Sequence, residues 1–156
     1  MDSFSANGRQ QQWSSPAVEQ GARPSGFRNM LAWQEAQDFA DRIVRLVAKL
    51  PRNRSADSIG NQLVRAAGSI AANIAEGFGR FSQPAYRNHL SIARGSAYEA
   101  ESWLDLLIRT EMITKDIGND LLKQCDYIER LITTRMKALG EAKSSYVREE
   151  GEPYEA

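Results

Sequence analysis

Residues 62–80 read QLVRAAGSIAANIAEGFGR, and this run decides the fold. Its apolar positions Leu63, Ala66, Ile70, Ile74 and Gly77 are three or four residues apart. So are its polar positions Gln62, Arg65, Ser69, Asn73, Glu76 and Arg80. Both sets keep the period of an α-helix, so an apolar seam for a neighbouring helix runs beside a polar stripe on one element. Upstream, Ile59 extends the seam towards a start near Ser55, with Asp57 and Ser58 suited to the first turn. Gly77 and Gly79 suit the C-terminal end.

The same spacing appears on both sides of this run. A first helix is predicted over about Asn29–Leu50, with Trp33, Ala36, Ala40, Ile43, Val47 and Leu50 as its seam. Pro51 stops it, because proline disfavours helical geometry in the residue before it. A third helix is predicted from Ser82, where Pro84 fits the first turn, with a seam through Tyr86, Leu90, Ala93, Ala97, Ala100 and Leu104. A fourth starts at Thr114, uses Ile117, Leu121, Cys125, Ile128, Ile132 and Leu139, and is expected to stop at Gly140. Helices of about 22–29 residues span about 33–43 Å. Connections of a few residues force neighbours to alternate in direction, so the expected fold is all-α, an antiparallel up-down-up-down four-helix bundle. No stretch alternates with the two-residue period of a sheet.

The chain has 156 residues, 42% of them hydrophobic, enough for one domain with its own core. Residues 1–26, rich in Gln, Ser, Gly and Pro, are read as a flexible N-terminal tail in which Phe4 and Trp13 are isolated aromatics. The bundle occupies 27–140. Residues 141–156 carry five glutamates against Lys143 and Arg148 and are read as an acidic, flexible C-terminal tail. A single Cys, with no internal partner, points to a reducing, cytoplasmic setting. No run of about 18 apolar residues is present for a membrane span.

Two features of the second and third helices bear on function. Ala66-Ala67-Gly68-Ser69-Ile70-Ala71-Ala72 and Ala93-Arg94-Gly95-Ser96-Ala97 are dense in small residues. Glycine inside a helix costs about 1 kcal/mol relative to alanine. Close packing, or close approach by something else, is therefore expected to return this cost; packing is the favoured reading, with the two stretches opposite each other at a tight helix crossing. The polar stripe has two readings: a solvated face with local ion pairs, or a network used between subunits or toward a ligand. Spacing alone favours the first. The second predicts that Glu76→Ala costs more than roughly 1 kcal/mol, beyond a surface pair.

A catalytic constellation is not apparent. His89 is the only histidine and reads as a surface or interface residue, and Cys125 reads as a buried structural thiol on the seam. One Cys and one His cannot supply a structural zinc site, and no Glu-x-x-His pair for a di-iron bundle occurs, so neither metal nor cofactor is expected. The chain is read as non-enzymatic.

Twenty Lys+Arg balance twenty Asp+Glu, which argues against a general nucleic-acid binder. The balance is uneven, however. Arg42, Arg45, Lys49, Arg52, Arg54 and Arg65 face only Asp57 around the first inter-helix loop. This cluster is either a solvated loop balanced by the acidic fourth helix and tail of the same or a neighbouring subunit, the reading slightly favoured, or a contact for RNA or DNA phosphates.

The run QLVRAAGSIAANIAEGFGR, then Tyr86, then LSIARGSAYEAE (90–101), resembles the bacterial four-helix-bundle proteins, also called the 23S rRNA intervening-sequence protein family. Trp33-Gln34-Glu35-Ala36 and Leu50-Pro51 fit the family's first helix and first loop. The resemblance covers about 27–140 and implies a left-handed twist and a ring-like homo-oligomer, a pentamer. On its motif positions it places Gln62, Arg65, Ser69, Asn73, Glu76, Gly77, Arg80, Tyr86, Gly95, Ser96 and Glu99, and it brings no catalytic residues. The accessory variability protein of diversity-generating retroelements is similar to this family. It is a basic bundle that partners a reverse transcriptase and binds nucleic acid, whereas this chain is neutral. The resemblance thus implies two roles: a scaffold or accessory factor for a protein partner, or a nucleic-acid-binding accessory protein.

Overall fold

A computed structural model describes residues 26–149, with 141–149 described as backbone alone. The tail expected over 1–26 therefore lies, except for Gly26, outside the described residues. A short 3₁₀ turn, Gly26–Asn29, leads into four helices: α1 (Leu31–Val47), α2 (Arg54–Phe78), α3 (Gln83–Arg109) and α4 (Lys115–Glu149). No strand occurs among the described residues, and the chain is an all-α four-helix protein. No described helix is long and apolar enough to cross a membrane.

Helix ends follow local chemistry, with three differences from expectation. Asn53, rather than Ser55, caps α2: its side-chain oxygen accepts from the Ala56 amide at 2.9 Å. Ser82 caps α3 in the same way, accepting from Ala85 N at 3.3 Å with Pro84 in the first turn. α1 leaves regular helix at Val47, and Pro51 follows an irregular turn. Gly140, expected to end α4, lies inside it. The residues that follow, Glu141-Ala142-Lys143, are good helix formers, so one glycine's cost of about 1 kcal/mol does not break the helix.

Each helix packs on its neighbours in sequence, and α1 also packs on α4, which closes the four into a bundle. The core is centred on Phe39, Ile43, Leu63, Ile70, Ile74, Leu90, Leu104, Leu107, Ile128 and Ile132, all fully buried. Each such aliphatic side chain contributes about 1.5–3 kcal/mol by leaving water. The seams of α2 and α3 lie where the spacing puts them. On α1, Phe39 is the central buried residue, while Trp33, Ala40 and Val47, and Leu50 beyond its end, are only partly buried, so the buried stripe is rotated from the one expected. Ile117, expected in the seam of α4, is exposed. Alanines at 66, 67, 71, 93, 97 and 100 fill the α2–α3 layer, the most extensive helix contact of the molecule.

Candidate functional site

The α2 stripe meets α3 along a hydrogen-bonded polar seam. At its centre Asn73 Nδ2 donates to the Ser69 carbonyl at 2.9 Å and to Ser69 Oγ at 3.0 Å. Ser69 Oγ lies 2.9 Å from Ser96 Oγ, and Ser96 Oγ donates to the Ile92 carbonyl at 3.0 Å. The only arrangement that uses each hydroxyl proton once runs Asn73 to Ser69 to Ser96 to Ile92. On the other side, His89 Nδ1 is 3.3 Å from Asn73 Oδ1, and Arg80 Nε donates to His89 Nε2 at 3.1 Å. An imidazole with its proton on Nδ1 matches both partners. Glu76 pairs with Arg80 and lies 3.8 Å from His89 Nε2.

A second segment lies further along. Arg65 Nη2 donates to Gln62 Oε1 at 2.7 Å and to Glu99 Oε1 at 3.1 Å, and Trp103 Nε1 donates to the same Glu99 oxygen at 3.4 Å. Partner numbers fall on α3 as they rise on α2: Asn73 with His89, Ser69 with Ser96, Arg65 with Glu99. The stripe is therefore neither wholly solvated nor wholly buried. Ser69, Asn73, Ser96 and His89 are buried or half-buried, whereas Arg65, Glu76 and Arg80 are exposed. Tyr86 stands apart from the seam. It is buried, packs edge-on against Phe78 with ring centroids 6.4 Å apart, and lies under the Arg135 guanidinium. His89 and Trp103 belong to the seam and were not in the stripe. Their signal was the helical spacing His89, Ser96, Glu99, Trp103 on α3.

The two small-residue stretches do face each other, joined at Ser69 and Ser96 and lined by buried Ala66, Ala67, Ala93 and Ala97, but their glycines take no part in the contact. A Cβ placed on Gly68 or on Gly95 meets nothing within 4 Å, and both residues are exposed. Ser69 and Ser96 point inward, so their preceding glycines lie on the outer side of the helix pair. The tight α2–α3 contact is instead at Gly77, where a Cβ would come to 2.8 Å from both His89 Cβ and Tyr86 Cδ2.

The basic cluster is also redistributed. Arg42 pairs with Asp120 and donates to Gln124 Oε1 at 2.6 Å, Arg45 pairs with Asp41 at 2.8 Å, and Arg65 turns to Glu99. Within the cluster, Lys49, Arg52 and Arg54 remain exposed and form no ion pair with a described residue.

A second polar group lies between α3 and α4. Glu101, Cys125 and Glu129 bring one ligand atom each to within 4.8 Å of one another. Burial, followed by the Glu129 charge, pushes the Glu101 carboxyl up to about 7. Burial likewise raises Glu129, and it holds the Cys125 thiol far above its usual range. Cys125 Sγ donates to the Ala97 carbonyl at 3.4 Å. The Tyr98 hydroxyl is raised by its hydrogen bond to Glu129. Counting Cys and His alone passes over this group, because its other two donor atoms come from glutamates. Their only sequence signal was Cys125 and Glu129, four apart on one helix.

An all-α bundle whose longest contact carries this polar seam defines the class of protein. Residues 28–134 match the 23S rRNA-intervening sequence protein family, and the chain belongs to that family. A solved structure from Bacteroides thetaiotaomicron, of a protein with unknown function from the S23 ribosomal protein family, is similar to it. The two are 34% identical with a TM-score of 0.65, over 69% of this chain and 99% of that one. No curated protein matches the chain.

Proposed function

We propose that the protein is a non-enzymatic oligomeric scaffold, an accessory factor that presents several copies of its bundle to a protein partner, and that copies associate through the outer face of α2 and α3. The observation that carries this reading is the open face at Gly68 and Gly95. Each glycine costs its helix about 1 kcal/mol relative to alanine, and among the described residues nothing returns that cost. A helix from a second copy, approaching where no Cβ stands in the way, would return it. Ile92 and Tyr98, 44% and 53% exposed, flank Gly95 on α3 and would supply apolar area to such a contact. The serines and the imidazole beneath this face are committed to one another, which supports a structural use of the seam over a chemical one. The ring of five implied by the family resemblance is the assembly this contact would build. Light scattering at micromolar concentration tests the reading: a mass several times the 17.4 kDa of one chain is expected, and a monomer would overturn it.

Lys49, Arg52 and Arg54 favour a second reading, nucleic-acid contact at the α1–α2 end, repeated around an oligomer. It expects RNA or DNA affinity that falls steeply as salt rises from about 50 to 200 mM, and it fails if binding is weak and flat with salt.

A further inference from the structure

We propose that Glu101, Cys125 and Glu129 form a binding site for a divalent cation of the zinc class between α3 and α4. The three ligand atoms lie within 4.8 Å of one another, a spacing that small side-chain adjustments bring to the edges of a tetrahedron around one ion. Proximity of acids alone would carry little. The second observation is Glu129 itself. It is only 8% exposed, its carboxylate is turned into this cluster, and Oε1 has no hydrogen-bond partner among the described residues. A buried carboxylate oxygen without a partner is costly, and native proteins rarely leave one so. Burial and the negative field of Asp126 weigh against the Glu129 charge, and hydrogen bonds to its carboxylate from Tyr98 and Glu101 together with the Arg94 charge offset them only in part. A divalent ion would give Oε1 its partner and neutralise the pair of glutamates at once.

The donor set selects the ion. Magnesium and calcium take oxygen ligands, whereas a thiolate with two carboxylates suits zinc, and cobalt as its spectroscopic substitute. Binding forms a metal–sulfur bond as the Cys125 S–H proton leaves to solvent. The Sγ now donating to Ala97 would turn its freed lone pair to the ion. Three protein ligands leave a fourth position for water or a partner's side chain. Access exists from one side, because an open groove of about 460 Å³, lined by Glu101, Asp105, Asn119, Leu122, Lys123 and Asp126, reaches the Glu101 edge of the cluster.

The test uses the full chain, treated with chelator and titrated with Co²⁺ and then with Zn²⁺. One Co²⁺ per chain is expected, with a thiolate-to-cobalt charge-transfer band in the near ultraviolet and strong visible absorption of a low-coordinate ion. One equivalent of Zn²⁺ should abolish both. Cys125→Ala should lose the charge-transfer band, and Glu129→Gln should weaken binding at least tenfold. The wild-type spectrum decides the matter even if a variant fails to fold. No bound Co²⁺, a weak octahedral spectrum without the thiolate band, or a band that survives in Cys125→Ala would overturn the site.

Discussion

Two polar seams cross this bundle, and they are satisfied in opposite ways. Between α2 and α3, donors and acceptors alternate: Asn73 gives to Ser69, Ser69 to Ser96, Ser96 to a carbonyl, and His89 lies between Asn73 and Arg80. Between α3 and α4, two carboxyls and a thiol converge, all acids, and one carboxylate oxygen has no partner among the described residues. The first seam needs nothing from outside to hold its two helices. The second is complete only when a proton or a cation joins it. A closed network suits a structural layer under an assembly face, and an unclosed one suits a ligand.

The comparison can be broken most strongly at its glycines. Gly77→Ala should cost about 2 kcal/mol, because the new methyl meets His89 Cβ and the Tyr86 ring, atoms held close to the α3 backbone. Gly118→Ala, where α3 meets α4, meets Cγ1 and Cδ1 of Ile108, a single half-buried side chain that turns about its Cα–Cβ bond without moving the backbone, so it should cost about half as much. Urea unfolding of the two variants measures the difference. Equal costs would show that α2–α3 is not the more rigid contact.

Next in size is a pH effect confined to α3–α4 in metal-free protein. Glu101 titrates at about 7 when folded against the usual 4.5. Between those values the folded chain holds more protons than the unfolded chain, so stability falls as pH rises through the window and is level above it. The whole shift corresponds to roughly 3 kcal/mol, and solvent screening in an open groove brings it to about 1 kcal/mol. Unfolding midpoints at pH 5 and pH 8 should therefore differ, and Glu101→Gln should shrink that difference, leaving the part that Glu129, raised by the same burial, contributes. A slope undiminished in the variant assigns the effect elsewhere.

The smallest effect is at Glu76. A buried network predicts a loss above 1 kcal/mol for Glu76→Ala, but the carboxylate and its Arg80 partner are about half exposed. The expected loss is a few tenths of a kcal/mol, that of an ordinary helical ion pair. Thermal unfolding resolves it, and a loss above 1 kcal/mol would restore Glu76 to the load of the seam.

What the sequence made legible follows from helical period. Leu63, Ala66, Ile70 and Ile74 declared the buried face of α2, and the stripe from Gln62 to Arg80 declared the line that meets α3. Period within one helix does not give register between two. Glu101 and Glu129 are 28 positions apart, and only the packing of α3 on α4 places them together with Cys125. The same limit hid the outward turn of Gly68 and Gly95: composition shows small residues, and only the rotation of each helix shows that they face away from the other. Phe39 was missed for a related reason, since Ala36, Ala40 and Ile43 fit a stripe rotated only slightly from the true one.

The central claim is that the open α2–α3 face joins copies of the chain, and a bulky side chain there tests it most directly. Gly95→Leu has room within its own chain, so the folded bundle should keep its helix content and thermal stability as a single subunit. Light scattering of Gly95→Leu beside the wild type is the measurement. The account predicts an oligomeric wild type and a variant reduced to one chain mass; a variant that assembles like the wild type would contradict it.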